Sequence, residues 1–132
     1  MDFSACRDHC LMQVQSDEDF PFGPDVYVYK VVGKIFAILS ESADPTHPAT
    51  KVKVARINLK CEPTEALMLR QIFPAVTAGY HMNKKHWNTL LLDGSVPENE
   101  VKRMIEHSYA LVVSSLPKAK RPVLSQVLRA SS

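Results

Sequence analysis

A chain of 132 residues, 45% hydrophobic and 23% charged, has the size and make-up of one globular domain with its own core. Its formal net charge of +2 is close to neutral, so the total points to no polyanionic partner and only local clustering of charge is informative. Met1 to Cys10 carries Asp2, Arg7 and Asp8 and no apolar signal-peptide core, and no apolar run reaches membrane-spanning length, so a cytoplasmic protein with reduced cysteines and no membrane contact is expected.

Phe3, Cys6, Cys10 and Val14 recur at helical spacing, with Leu11 beside them, and predict a helix from Phe3 to Val14. Ser16 to Asp19 breaks that pattern. Phe20-Pro21-Phe22-Gly23-Pro24-Asp25 reads as a loop because proline lacks an amide donor and restricts its predecessor. Phe20 and Phe22 are expected to pin it to the edge of the core. Val26–Val31 and Lys34–Leu39, rich in β-branched and aromatic residues, predict a hairpin turning at Gly33, where positive φ is wanted. Glu41 to Lys51, with Pro45 and Pro48, reads as a surface loop. Lys51 to Lys60 alternates charged and apolar residues, as a third strand with one wet face does.

Glu62-Pro63-Thr64-Glu65 opens a second helix, since proline fits a first turn and acids suit the positive end of the dipole. Ala66, Leu69 and Phe73 line its buried face and Pro74 ends it. Trp87 to Leu92 predicts another strand, with its turn at Asp93-Gly94. Ser95-Val96-Pro97-Glu98 has the pattern of a capping box. Val101, Met104, Ile105, Ser108, Leu111, Val112 and Leu116 form the apolar stripe of a long helix, closed by Pro117. The predicted fold is an α+β two-layer sandwich: an antiparallel sheet of four to five strands with helices packed on it, in α-β-β-β-α-β(β)-α order. Residues 1–117 form one domain, and 118–132 a basic C-terminal tail that includes a short docked helix at Val123 to Leu128.

The chemistry of the chain centres on Ala78-Gly79-Tyr80-His81-Met82-Asn83-Lys84-Lys85-His86-Trp87-Asn88-Thr89, which holds its sole tryptophan. Lysines neutralise phosphates and aromatic rings stack on unpaired bases, so Lys84, Lys85 and His86 beside Tyr80 and Trp87 suit nucleic acid. Lys34 and Lys60 join that surface if the sheet brings them alongside. The competing view makes Tyr80 and Trp87 core or hinge residues and the lysines merely solvated. A helix-turn-helix is excluded because strands occupy the region it needs. His81 and His86, oriented by Asn83 and Asn88, are candidate acid/base groups, but no nucleophile motif, phosphate loop or carboxylate pair accompanies them, and no catalytic residue is assigned. Cys6, His9 and Cys10 lie on about one helical turn and could ligate a soft metal, yet small buried cysteines also pack cores, and Cys61 has no partner in sequence. No metal or cofactor is assigned. A protein partner held on the exposed sheet face is the alternative to DNA, with the chain a monomer or a homodimer.

Several segments resemble the MmcQ/YjbR family: Pro21 to Asp25, Val32 to Ala37, Asn58 to Pro63, Gly79 to Thr89, and the Ser108-Tyr109 pair. The likeness runs in order from about Phe3 to Leu116 and is most specific in the central block. It departs at Ala78, where the family commonly has proline, and does not reach the tail after Pro117. The resemblance implies a bacterial protein with a compact antiparallel sheet, grouped with frataxin-like and secretion-chaperone-like folds. It also implies a DNA-binding protein; joined to the reading of the residues above, the expectation is a non-enzymatic module whose contact residues are Lys34, Lys60, Tyr80, His81, Asn83, Lys84, Lys85, His86 and Trp87. A chaperone-like module follows as the alternative, and an enzyme built on His81 and His86 as the third.

Overall fold

The computed structural model describes residues 1–43, 53–79 and 82–122. Helix α1 (Phe3–Leu11) forms where Phe3, Cys6 and Cys10 share a face, and both cysteines are wholly buried. Asp2 caps it, its carboxylate accepting the Ala5 amide N–H at 2.9 Å. The helix stops short of Val14, whose carbonyl accepts the Tyr109 hydroxyl at 2.6 Å.

The strands are β1 (Ser16–Asp19), β2 (Val26–Val31), β3 (Lys34–Ala43), β4 (Lys53–Lys60), β5 (Val76–Ala78) and β6 (Trp87–Leu91). They form one antiparallel sheet of six strands in the order β1-β2-β3-β4-β6-β5, against the four to five expected. Strand β1 is the larger departure, because its sequence, Ser-Asp-Glu-Asp, has no apolar alternation. Polar bonds hold it instead. Arg7 grips Glu18 with Nε at 2.8 Å and Nη2 at 3.0 Å, and the Tyr29 hydroxyl donates to Glu18 at 2.9 Å. Those bonds from Arg7 and Tyr29 hold the Glu18 carboxyl below its ordinary pKa, even though burial opposes the shift.

The β2–β3 hairpin turns through Val32 (φ 48°) and Gly33 (φ 77°), the two positive angles that match a right-twisted ribbon. A bulge follows. Tyr29 pairs with Ala37 and Lys30 with Ile35, so Phe36 is the extra residue. It turns into the core, where its ring meets Tyr109 edge-on at 5.3 Å. The loop between β1 and β2 is less anchored than expected: Phe20 touches the Tyr27 ring at 4.9 Å, but Phe22 is exposed.

Helix α2 (Pro63–Ile72) has Pro63 in its first turn and Glu62 as its cap, with the Glu62 carboxylate taking the Thr64 and Glu65 amides. Ala66 and Leu69 are buried and Phe73 half-buried. Helix α3 (Glu98–Ser115) packs on β3 and β4, and α1 packs beside it on β3. The expected capping box does not form. Pro97 occupies the cap position, and Ser95 instead bonds Asp93 through its amide (2.9 Å) and its hydroxyl (2.6 Å). Among the described residues no helix is long and apolar enough to cross a membrane. The expected loop at Pro45 and Pro48 and the docked helix at Val123 to Leu128 lie outside the described residues.

Candidate functional site

Alternation along β4 and β6 divides their residues between two faces. Ala55, Ile57, Leu59, Asn88 and Leu90 are buried on the helix side, while Arg56, Asn58, Lys60, Trp87, Thr89 and Leu91 occupy the other side and are half-buried. Register makes Lys60 the direct cross-strand neighbour of Trp87, and Asn58 that of Thr89, whose hydroxyl donates to the Asn58 amide oxygen at 2.5 Å. On this face of β3, β4, β5 and β6 the described residues include no carboxylate.

The turn leading into β6 is built from backbone bonds. The Asn83 carbonyl accepts the amides of His86 (3.1 Å) and Trp87 (3.0 Å), and its side chain accepts the Lys85 amide at 3.0 Å. The His86 carbonyl accepts the Cys61 amide at 2.8 Å, tying the turn to the end of β4. Gly79 donates to the Trp87 carbonyl at 2.8 Å, and a Cβ on Gly79 would lie 2.9 Å from the Trp87 Cβ, so only glycine fits that approach. Arg70 of α2 closes the assembly. Its Nε donates to the Asn88 side-chain oxygen at 2.6 Å, and its Nη2 donates to the carbonyls of Lys84 and Trp87.

Lys60 is held from the helix side. Ala37 pairs with Leu59, so Phe36 and Lys60 stand opposite one another at the next step of the β3–β4 ladder. There Ser108 enters from α3. Its hydroxyl accepts the Lys60 amide at 2.8 Å and donates to the Phe36 carbonyl at 2.6 Å, bridging the strands where their direct pairing ends.

Lys60, Asn83, Lys84, Lys85, His86 and Trp87 are thus gathered at one end of the sheet, with Asn83, Lys84 and Lys85 exposed and the other three half-buried. Lys34 does not join them. It pairs with Val31, a core residue, which places it on the helix-bearing side. Tyr80 and His81 lie outside the described residues. The Asn83 side chain serves the turn, through Lys85, and the Asn88 side chain bonds Arg70 and the Ala66 carbonyl. On α1, Cys6 and Cys10 belong to the core and His9 Nε2 lies 3.1 Å from Glu106 Oε1, so that trio forms no common site. The sequence reading missed Arg70 and the bridging role of Ser108. Neither carries a local signal, because their partners lie 14 to 18 and 48 to 72 residues away.

The chain matches the YjbR family over residues 11–111. It is 39% identical over 99 residues to the uncharacterized protein YbdF of Escherichia coli O157:H7, covering 75% of this chain and 74% of that one. It is 30% identical over 127 residues to the uncharacterized protein YjbR of Escherichia coli K12, covering 96% of this chain and all (100%) of the relative. The crystal structure of a Deinococcus radiodurans protein with a DUF419 domain superposes with a TM-score of 0.77 at 34% identity, over 90% of this chain and 84% of that one. A Pseudomonas syringae crystal structure gives 0.71 at 28% identity, over 84% and 98%.

Proposed function

The chain belongs to the YjbR family, and from that footing we propose that it is a non-enzymatic DNA-binding module that takes single strands in preference to duplex. The observation that carries this reading is the pairing of Trp87 with Lys60 on the sheet face away from the helices, at the foot of a turn that exposes Lys84 and Lys85. An aromatic face stacks on an unpaired base and the ammonium groups follow the phosphates. Arg56 extends the same face along β4, and among the described residues no carboxylate lies on that face of β3 to β6. Single strands are favoured because their unpaired bases offer the faces on which Trp87 can stack, whereas a duplex keeps its bases stacked on one another.

Binding should fall steeply with salt. Four cations on single-stranded DNA correspond to a slope of log affinity against log salt of about −3, and the double substitution Lys84→Ala, Lys85→Ala should reduce it to about −1.5. Fluorescence anisotropy of a labelled oligonucleotide across a salt series measures both slopes. A slope left unchanged by the double substitution would remove these lysines from the interface.

A protein partner is the second reading. Leu67, Met68 and Ile72 are exposed on α2, an apolar surface that phosphate recognition does not use. An apolar grip of that kind would tolerate salt, which separates it from the first reading.

A further inference from the structure

On the helix side of the sheet, Cys61 follows β4, Glu65 lies in the first turn of α2, and His107 projects from the middle of α3. Their Sγ, carboxylate oxygen and imidazole nitrogen all lie within 4.8 Å of one another. Glu65 Oε2 is 3.3 Å from His107 Nε2. Two ligands held about 2.1 Å from a tetrahedral zinc ion stand roughly 3.4 Å apart, so this separation is the edge such a site needs.

The hydrogen bonding points the same way. Arg103 Nη1 holds the other Glu65 oxygen at 2.7 Å, which turns Oε2 toward His107. The Glu62 amide N–H approaches the same His107 Nε2 at 3.4 Å. One ring nitrogen cannot accept from that amide and also donate to Glu65. The nitrogen therefore serves one of these partners at a time, and an ion beside Glu65 would take its lone pair in place of the long contact from the Glu62 amide. The Glu65 and His107 side chains are 29% and 28% exposed, which gives an ion a way in.

We propose that Cys61, Glu65 and His107 form a site for a borderline divalent ion, zinc(II) first, with water as the fourth ligand. Sulfur, nitrogen and one carboxylate oxygen suit zinc or cobalt and not magnesium or calcium, which take oxygen shells. A cysteine thiol carries its proton near neutral pH and binds a metal only as the thiolate. Metal binding therefore breaks the S–H bond, forms the metal–sulfur bond and releases one proton to solvent.

The test is cobalt(II) titration of the chelator-treated full chain. The expected result is a thiolate-to-cobalt band in the near ultraviolet, release of one proton per ion, and displacement of cobalt by zinc. Cys61→Ser should abolish the band, and His107→Gln should weaken cobalt binding by roughly tenfold or more. Thermal melts should rise with zinc in the parent and not in either variant. If Cys61→Ser fails to fold, His107→Gln decides, because that side chain is partly exposed. Absence of the band, its survival in Cys61→Ser, or unchanged cobalt affinity in His107→Gln would overturn the assignment and leave a plain His107–Glu65 ion pair beside a thiol.

Discussion

Replacing Arg70 by alanine should lower stability by about 2–4 kcal/mol and lower the melting temperature by roughly 10 °C. The guanidinium reaches the Asn88 side-chain oxygen, the Lys84 carbonyl and the Trp87 carbonyl. Asn88 is only 2% exposed, so without Arg70 its oxygen becomes a buried acceptor with no charged donor. The turn that carries Lys84 and Lys85 loses its only described tie to α2, so oligonucleotide binding should weaken as well. Arg70→Lys should recover little, because one ammonium point does not reproduce a planar fork that spans three acceptors. Urea melts of the two variants, followed by circular dichroism, give the comparison. A loss below about 0.5 kcal/mol in Arg70→Ala, the ordinary range for a surface substitution, would contradict the role of this residue as the clamp of the turn.

Ser108→Ala is expected to cost about 2–4 kcal/mol despite removing one atom. The Ser108 side chain is fully buried and its hydroxyl serves two backbone groups, the Lys60 amide and the Phe36 carbonyl. Alanine leaves both without that partner in a space closed to bulk water. Ser108→Thr keeps the hydroxyl and should fare better than Ser108→Val, which matches it in shape and lacks the donor. Amide hydrogen exchange gives the sharper reading, since the Lys60 amide should lose protection in Ser108→Ala while amides in the middle of β4 keep theirs. Equal stability of the threonine and valine variants would show that the bridge carries no energy.

Much of the fold was legible because apolar spacing reports burial. The helix stripe at Val101, Met104, Ile105 and Val112, the alternation in β4 and the proline at the start of α2 all appear where the pattern places them. Strand β1 was hidden because its inward residue, Glu18, is paid for by Arg7 and Tyr29 rather than by apolar contact. Strand β5 spans three residues, too few to show a period. The Ser95 capping box failed for a local reason: Asp93 offers the serine a closer acceptor across a tight turn. Within the site, Lys60 meets Trp87 through register, which a one-residue slip would undo and composition does not reveal. The same register removes Lys34 from the group. Cys61, without a partner in its neighbourhood of the sequence, meets His107 only because α3 crosses the end of β4.

The most direct test of the DNA reading uses the chain's single tryptophan as its own probe. Trp87 emission should be followed while a single-stranded oligonucleotide is added at low salt, in the parent protein and in Lys60→Ala. The account predicts saturable quenching that is reversed by added salt and weakened in the variant. Unchanged Trp87 emission, whether or not the oligonucleotide binds elsewhere on the protein, would contradict it.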